Sequence, residues 1–152
     1  MLSAKVRWQS ETRFEGQASS GHSIAVEGEH QSANSPMELV LIALCGCTAY
    51  DVVSILQKKR QPFTALEVTA ETERAVQPPR VYTEINLTYR VAGQVSPKAV
   101  EDAVRLSETK YCSVAAMLNK TASIRYHIEL DSQWTIPRQL PARTRTSERR
   151  AH

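Results

Sequence analysis

Two stretches in the middle of the chain alternate apolar and polar residues with a period of two. Leu66, Val68, Ala70 and Thr72 fall on one side, and Glu67, Thr69, Glu71 and Glu73 on the other. Val81, Thr83, Ile85, Leu87, Tyr89 and Val91 then oppose Tyr82, Glu84, Asn86, Thr88 and Arg90. This period predicts strands with one buried and one wet face, joined through Gln77-Pro78-Pro79. Shorter alternations at Val6/Trp8, at Phe14/Gly16/Ala18 and at Ile24/Val26 predict three N-terminal strands, with Gly21 and Gly28 at turns. A last strand carries Ile124, Tyr126, Ile128 and Leu130 inward.

Helical signals fill the gaps. Ser35 is a good N-cap, Pro36 occupies the first helical position, and Glu38 stands where a capping box needs it. The helix body runs to about Arg60, where Gln61-Pro62 stops it. From Leu39 to Tyr50 it is apolar on every side. Such a helix must be covered all round, which calls for a second chain. Ser96-Pro97 opens another helix through Val100, Ala103, Val104 and Ser107. The pattern resets near Tyr111-Cys112-Ser113, and Val114–Asn119 reads as a further helical segment. The order is strands, long helix, two strands, helix, strand, an α+β layout.

Length and charge refine this picture. The 152 residues suit one domain with a core of its own. The apolar run Leu39–Cys47 is shorter than the roughly 20 residues that span a bilayer. The N-terminal residues lack an apolar signal region, so the expectation is a cytoplasmic protein without a membrane. The net charge is +3, but residues 132–152 carry five arginines against Glu148, so the remainder is slightly acidic. The expected division is a domain over 1–131 and a basic, disordered tail over 132–152. Nucleic acid is not an expected partner, because the basic charge sits in that tail.

The chemistry lies in three cysteines, too few for a disulfide scaffold. Cys45 and Cys47 are two helical residues apart, so their side chains point in different directions and cannot bridge. Neither a CxxC nor an HxxxH pair completes a zinc set, and no metal or cofactor is expected. Gly46 suggests close approach of another backbone or a ligand at that level. Cys112 falls where a helical segment restarts. The positive potential of a helix N-terminus, with Lys110 nearby, is expected to lower its pKa. Asp51 is one turn after Cys47 on the same face; it reads either as an ion-paired core residue or as a carboxylate acting on the thiol.

Four segments together resemble the OsmC/Ohr superfamily, in its YhfA-like branch. They are Ser35–Leu39, Cys45–Leu56, Pro79–Thr83 and Glu108–Ala115. The resemblance covers residues 1 to about 130. It implies an intertwined homodimer with two central helices wrapped by antiparallel sheets. It also implies reduction of organic hydroperoxides, with Cys47 as peroxidatic and Cys112 as resolving thiol, regenerated by a lipoylated protein or a small dithiol. A Glu paired with an Arg activates the thiol in family peroxidases. Here the residue after Pro36 is Met37, and Glu38 is shifted by one position. Arg80, which matches a branch motif, and Arg13 are the candidates for the Arg. The alternative is a non-enzymatic dimer that binds a small molecule or senses redox state through the same thiols.

Overall fold

In the computed structural model, which describes residues 1–137, the period-two segments form two separate three-stranded sheets. The first consists of β1 (Ala4–Ser10), β2 (Arg13–Ala18) and β3 (Ser23–Glu27), all antiparallel. Every residue of β1 is exposed, and Trp8 keeps 67% of its surface in water. This sheet therefore stands away from the core rather than sealing it.

The long helix α1 (Pro36–Lys58) begins as its sequence dictates. The Ser35 hydroxyl accepts from the Glu38 N–H while the Glu38 carboxylate accepts from the Ser35 N–H at 2.7 Å, completing the capping box. The preceding loop is anchored by Glu27. Its carboxylate accepts from the Thr12 hydroxyl at 2.7 Å and from the backbone N–H groups of Glu29, Gln31 and Ser32. Those donors, the Thr12 hydroxyl first, hold its pKa down at about 2. Nothing in the spacing of residues 27–34 predicts this anchor.

The second sheet joins β4 (Phe63–Arg74), β5 (Tyr82–Gly93) and β6 (Ser123–Leu130) in that order. β4 and β5 pair antiparallel, but β6 runs parallel to β5. The expectation of purely antiparallel sheets is thus corrected. The chain returns to β6 through helical crossovers, which deliver a strand in the parallel sense. A second correction concerns β5. Val81 and Thr83 are exposed, while Tyr82 is buried. An irregularity after Glu73 inserts an extra β5 residue, with Glu73 opposite Glu84 and Arg74 opposite Tyr82. This bulge turns Tyr82 to the same side as Ile85.

The core lies between this sheet and three helices, α1, α2 (Pro97–Leu106) and α3 (Ser113–Leu118). α1 contributes Leu44, Thr48, Val52 and Leu56, one stripe at spacings of four. β5 contributes Ile85, Leu87, Tyr89 and Val91, and α2 contributes Val100, Ala103 and Val104. Ile42 remains 52% exposed and Tyr50 75% exposed. A Cβ added at Gly46 meets nothing within 4 Å among the described residues. The close approach expected at Gly46 therefore does not come from those residues.

α1 is long and apolar enough to cross a bilayer, its most apolar 18 residues having a mean hydropathy of 2.2. The run Leu39–Cys47 understated that length. A core helix passes the same test. After β6, Trp134 lies 4.6 Å from the Arg90 guanidinium, which also reaches Asp131 at 3.2 Å. The arginine-rich stretch expected to be disordered lies from residue 138 onward, outside the described residues.

Candidate active site at the sulfur pair

Between α2 and α3 the helix widens into a π-turn over Ser107–Tyr111. Such insertions re-aim side chains, and they recur at functional sites. This one brings Ser107 and Glu108 against α1 and sets Cys112 as the N-cap of α3. As a result Cys47 Sγ, Cys112 Sγ and an Asp51 carboxylate oxygen all lie within 4.8 Å of one another, and neither cysteine is in a disulfide. The expected grouping of Cys47, Asp51 and Cys112 is present, although Cys47 and Cys112 are 65 positions apart in the sequence.

Cys112 departs from its sequence expectation. It does cap a helix, and its sulfur accepts from the Ala115 N–H at 3.3 Å. Yet it is only 3% exposed, and burial pushes its thiol up to about 12. Cys47 and Glu108 push in the same direction, against the Ala115 N–H. No Lys or Arg is among the main influences on this thiol. The Lys110 ammonium instead sits 5.3 Å from the Tyr111 ring. One short helix N-terminus is outweighed by loss of solvation in an apolar setting.

Asp51 accepts from the Ser107 hydroxyl at 2.9 Å. This contact opens a chain of hydroxyls through the protein. Ser107 meets Thr48 at 2.8 Å, Thr48 meets Tyr89 at 2.6 Å, and the Tyr89 hydroxyl donates to Glu108 at 2.6 Å. Burial raises the pKa of Glu108, and the Asp51 charge adds to that rise. Tyr89 is pushed upward by burial first and then by Glu108. Thr48, Ser107, Tyr89 and Glu108 were not singled out from the sequence. A signal was available: Thr48 interrupts an otherwise apolar inward stripe, and Tyr89 points its hydroxyl into a buried face. Buried hydroxyls must find partners.

Three candidates lie on other parts of the fold. Glu38 is nine residues before Cys47, which places it about 180° round the helix and roughly 13 Å along it. Its carboxylate is taken up by the capping box and by His30 Nδ1 at 2.8 Å. Arg80 is exposed in the β4–β5 link, where its Nε donates to the Ala75 carbonyl at 3.4 Å and its own carbonyl accepts from Arg74. Arg13 is exposed in β2 of the other sheet. Cys45 faces away from the pair, lining an open groove with Leu41, Ile42, Ala49 and the middle of β4, and burial raises its thiol pKa. A separate cleft lined by Tyr50, Asp51, Ile55, Lys58, Leu106 and Tyr111 reaches the site from the Asp51 side.

Comparison with known proteins places this geometry in a lineage. Residues 28–127 match the family model described as OsmC-like protein. The chain is 46% identical over 131 residues to the protein YhfA of Escherichia coli K12, covering 85% of this chain and 98% of that one. A crystal structure of a hypothetical protein from Aquifex aeolicus VF5 is 32% identical, with a TM-score of 0.76 over 87% of this chain and 98% of its own. An organic hydroperoxide resistance protein OsmC from Legionella pneumophila superposes with a TM-score of 0.65 over 85% of this chain and 96% of its own. At 12% identity it shares the fold alone. Paired thiols, fold and sequence agree: the chain belongs to the OsmC-like family.

Proposed function

We propose that this protein is a thiol-dependent reductase of organic hydroperoxides, acting in the cytoplasm as a homodimer. The observation that carries the reading is the approach of Cys47 and Cys112 to within 4.8 Å. The Legionella neighbour's name adds support by analogy. The Cys47 thiolate attacks the outer peroxide oxygen, the O–O bond breaks, and the alkoxide leaves with a proton as the alcohol. Cys47 is then a sulfenic acid. Cys112 attacks that sulfur, its thiol proton passes to the departing hydroxide, and water leaves as the disulfide forms. Asp51 is the proton carrier for this second step, because its carboxylate lies beside both sulfurs. Cys112 has a raised pKa, so it needs a base at the moment of attack. An external dithiol, small or carried on a lipoylated protein, restores both thiols.

Glu38 and Arg80 are given no step here: within one chain Glu38 is held by Ser35 and His30, and Arg80 donates to the Ala75 carbonyl. Turnover of tert-butyl hydroperoxide with dithiothreitol tests the reading. Wild type should consume peroxide catalytically, Cys47→Ser should not, and Cys112→Ser given peroxide without dithiothreitol should stop at a trapped sulfenic acid. Equal, slow consumption by wild type and Cys47→Ser would falsify it.

A second reading is a non-enzymatic module that binds a small molecule or senses redox state. The raised Cys112 thiol, with no Lys or Arg of the described residues among the main influences on it, favours it. Reaction of Cys47 with a thiol reagent across pH separates the two. A midpoint at or above ~8.5, the ordinary thiol value, supports the passive module.

A further inference from the structure

We propose that the reduced protein binds one soft divalent cation of the zinc class through Cys47, Cys112 and Asp51. The proposal rests on the same sulfur pair as the peroxidase reading but not on turnover. Its first support is the donor set. Two thiols and a carboxylate present their ligand atoms within 4.8 Å of one another. Thiolate sulfurs on a tetrahedral zinc ion sit about 3.8 Å apart, as bonds of ~2.3 Å require. Side-chain rotation of about 1 Å at most closes the difference.

Its second support is the chemistry of those donors, two sulfurs and one carboxylate oxygen. Sulfur donors select zinc-like ions over magnesium or calcium, which prefer oxygen. Binding releases the two thiol protons to solvent and leaves one net negative charge.

The surroundings also suit a metal. Ser107 fixes the Asp51 carboxylate at 2.9 Å and is itself held by Thr48, an outer layer of the kind that orients metal ligands. The cleft with Tyr50, Ile55 and Tyr111 on its walls includes Asp51 in its lining and gives solvent an approach to that carboxylate. Sequence spacing does not reveal this set, because its ligands come from one turn of α1 and the cap of α3. Functionally, the ion would cap both sulfurs and shield them from hydroperoxide, so metal loading and thiol oxidation would exclude each other.

The test is anaerobic titration of the full-length protein, reduced with a phosphine that is then removed, using Co2+ as a visible probe. Wild type should take up one ion, give a thiolate-to-cobalt charge-transfer band, and lose the cobalt to one equivalent of Zn2+. The disulfide form should bind none. Cys47→Ser and Cys112→Ser should lose the band's full intensity, and Asp51→Asn should weaken binding at least tenfold. Ser107→Ala should weaken it about tenfold through the loosened carboxylate. Cys45→Ser should be unchanged. Cys47→Ser is nearly isosteric at a half-buried position, so a folded variant remains for measurement should Asp51→Asn misfold. An unaltered band in Cys47→Ser, or no uptake by reduced wild type, overturns the proposal. Hydroperoxide turnover without metal uptake overturns this inference alone, and uptake without turnover overturns only the peroxidase reading.

Discussion

The Ser107 hydroxyl donates to Asp51 Oδ2 at 2.9 Å, joining a π-turn to the middle of the central helix. Ser107 is wholly buried and also contacts Thr48, so its one oxygen satisfies two neighbours. Replacing it by alanine leaves Asp51 and Thr48 each short of a partner. Ser107→Ala should therefore lower unfolding stability by about 1–3 kcal/mol, the usual cost of a deserted buried polar group. Urea denaturation of the reduced protein checks this, and an unchanged midpoint would mean that water replaces the hydroxyl.

At the far end of the same chain, burial raises the pKa of Glu108. The sign of the linkage follows from that direction. A folded carboxyl with a raised pKa holds its proton above pH 4.5, where the unfolded one has released it. Its contribution to stability is present below pH 4.5 and is lost as pH rises through the folded value. Glu108→Gln should flatten that decline. The measurement is the difference in thermal midpoint between wild type and variant from pH 4 upward, and a constant difference would contradict the assignment.

Glu27 works in the opposite sense. Its pKa is lowered from 4.5 to about 2, chiefly by the Thr12 hydroxyl and backbone donors. Its contribution is present above pH 4.5 and is lost as pH falls through about 2. Glu27→Gln should cost stability at neutral pH and remove part of the acid transition. Hydrogen exchange should rise at Gln31 and Ser32, whose N–H groups it holds. Protection equal to wild type at those amides would mean that the loop has another anchor.

The proposed homodimer predicts a further result. Ile42 is 52% exposed on an apolar helix, beside the open groove of Leu41, Cys45 and the middle of β4. Ile42→Glu places a charge on that face, where burial against a second copy would be costly. Wild type should run as a dimer in light scattering and Ile42→Glu as a folded monomer. A dimer of undiminished affinity in the variant would place the interface elsewhere.

The strands of the second sheet, both helix caps and the reset near Cys112 were legible because each follows from local rules. Ser35-Pro36 and Ser96-Pro97 solve the problem of unpaired N–H groups at helix starts within a few residues. The inward face of Tyr82 was not legible, since a bulge near Glu73 depends on pairing with β4. The parallel sense of β6 was hidden for a similar reason, being fixed by where the crossover lands.

For the site, the sequence by itself determined which atoms could react. Cys47 and Asp51 share a helix face by periodicity alone, and Cys112 sits at a helix start that its neighbours announce. Tertiary structure decided what those atoms experience. It placed Ser107, Thr48, Tyr89 and Glu108 in one buried chain, set Glu38 in a helix cap and Arg80 against the Ala75 carbonyl, and removed enough water from Cys112 to outweigh its helix. Proximity along a chain is set by covalent geometry, whereas solvation and charge at a point depend on every element folded around it.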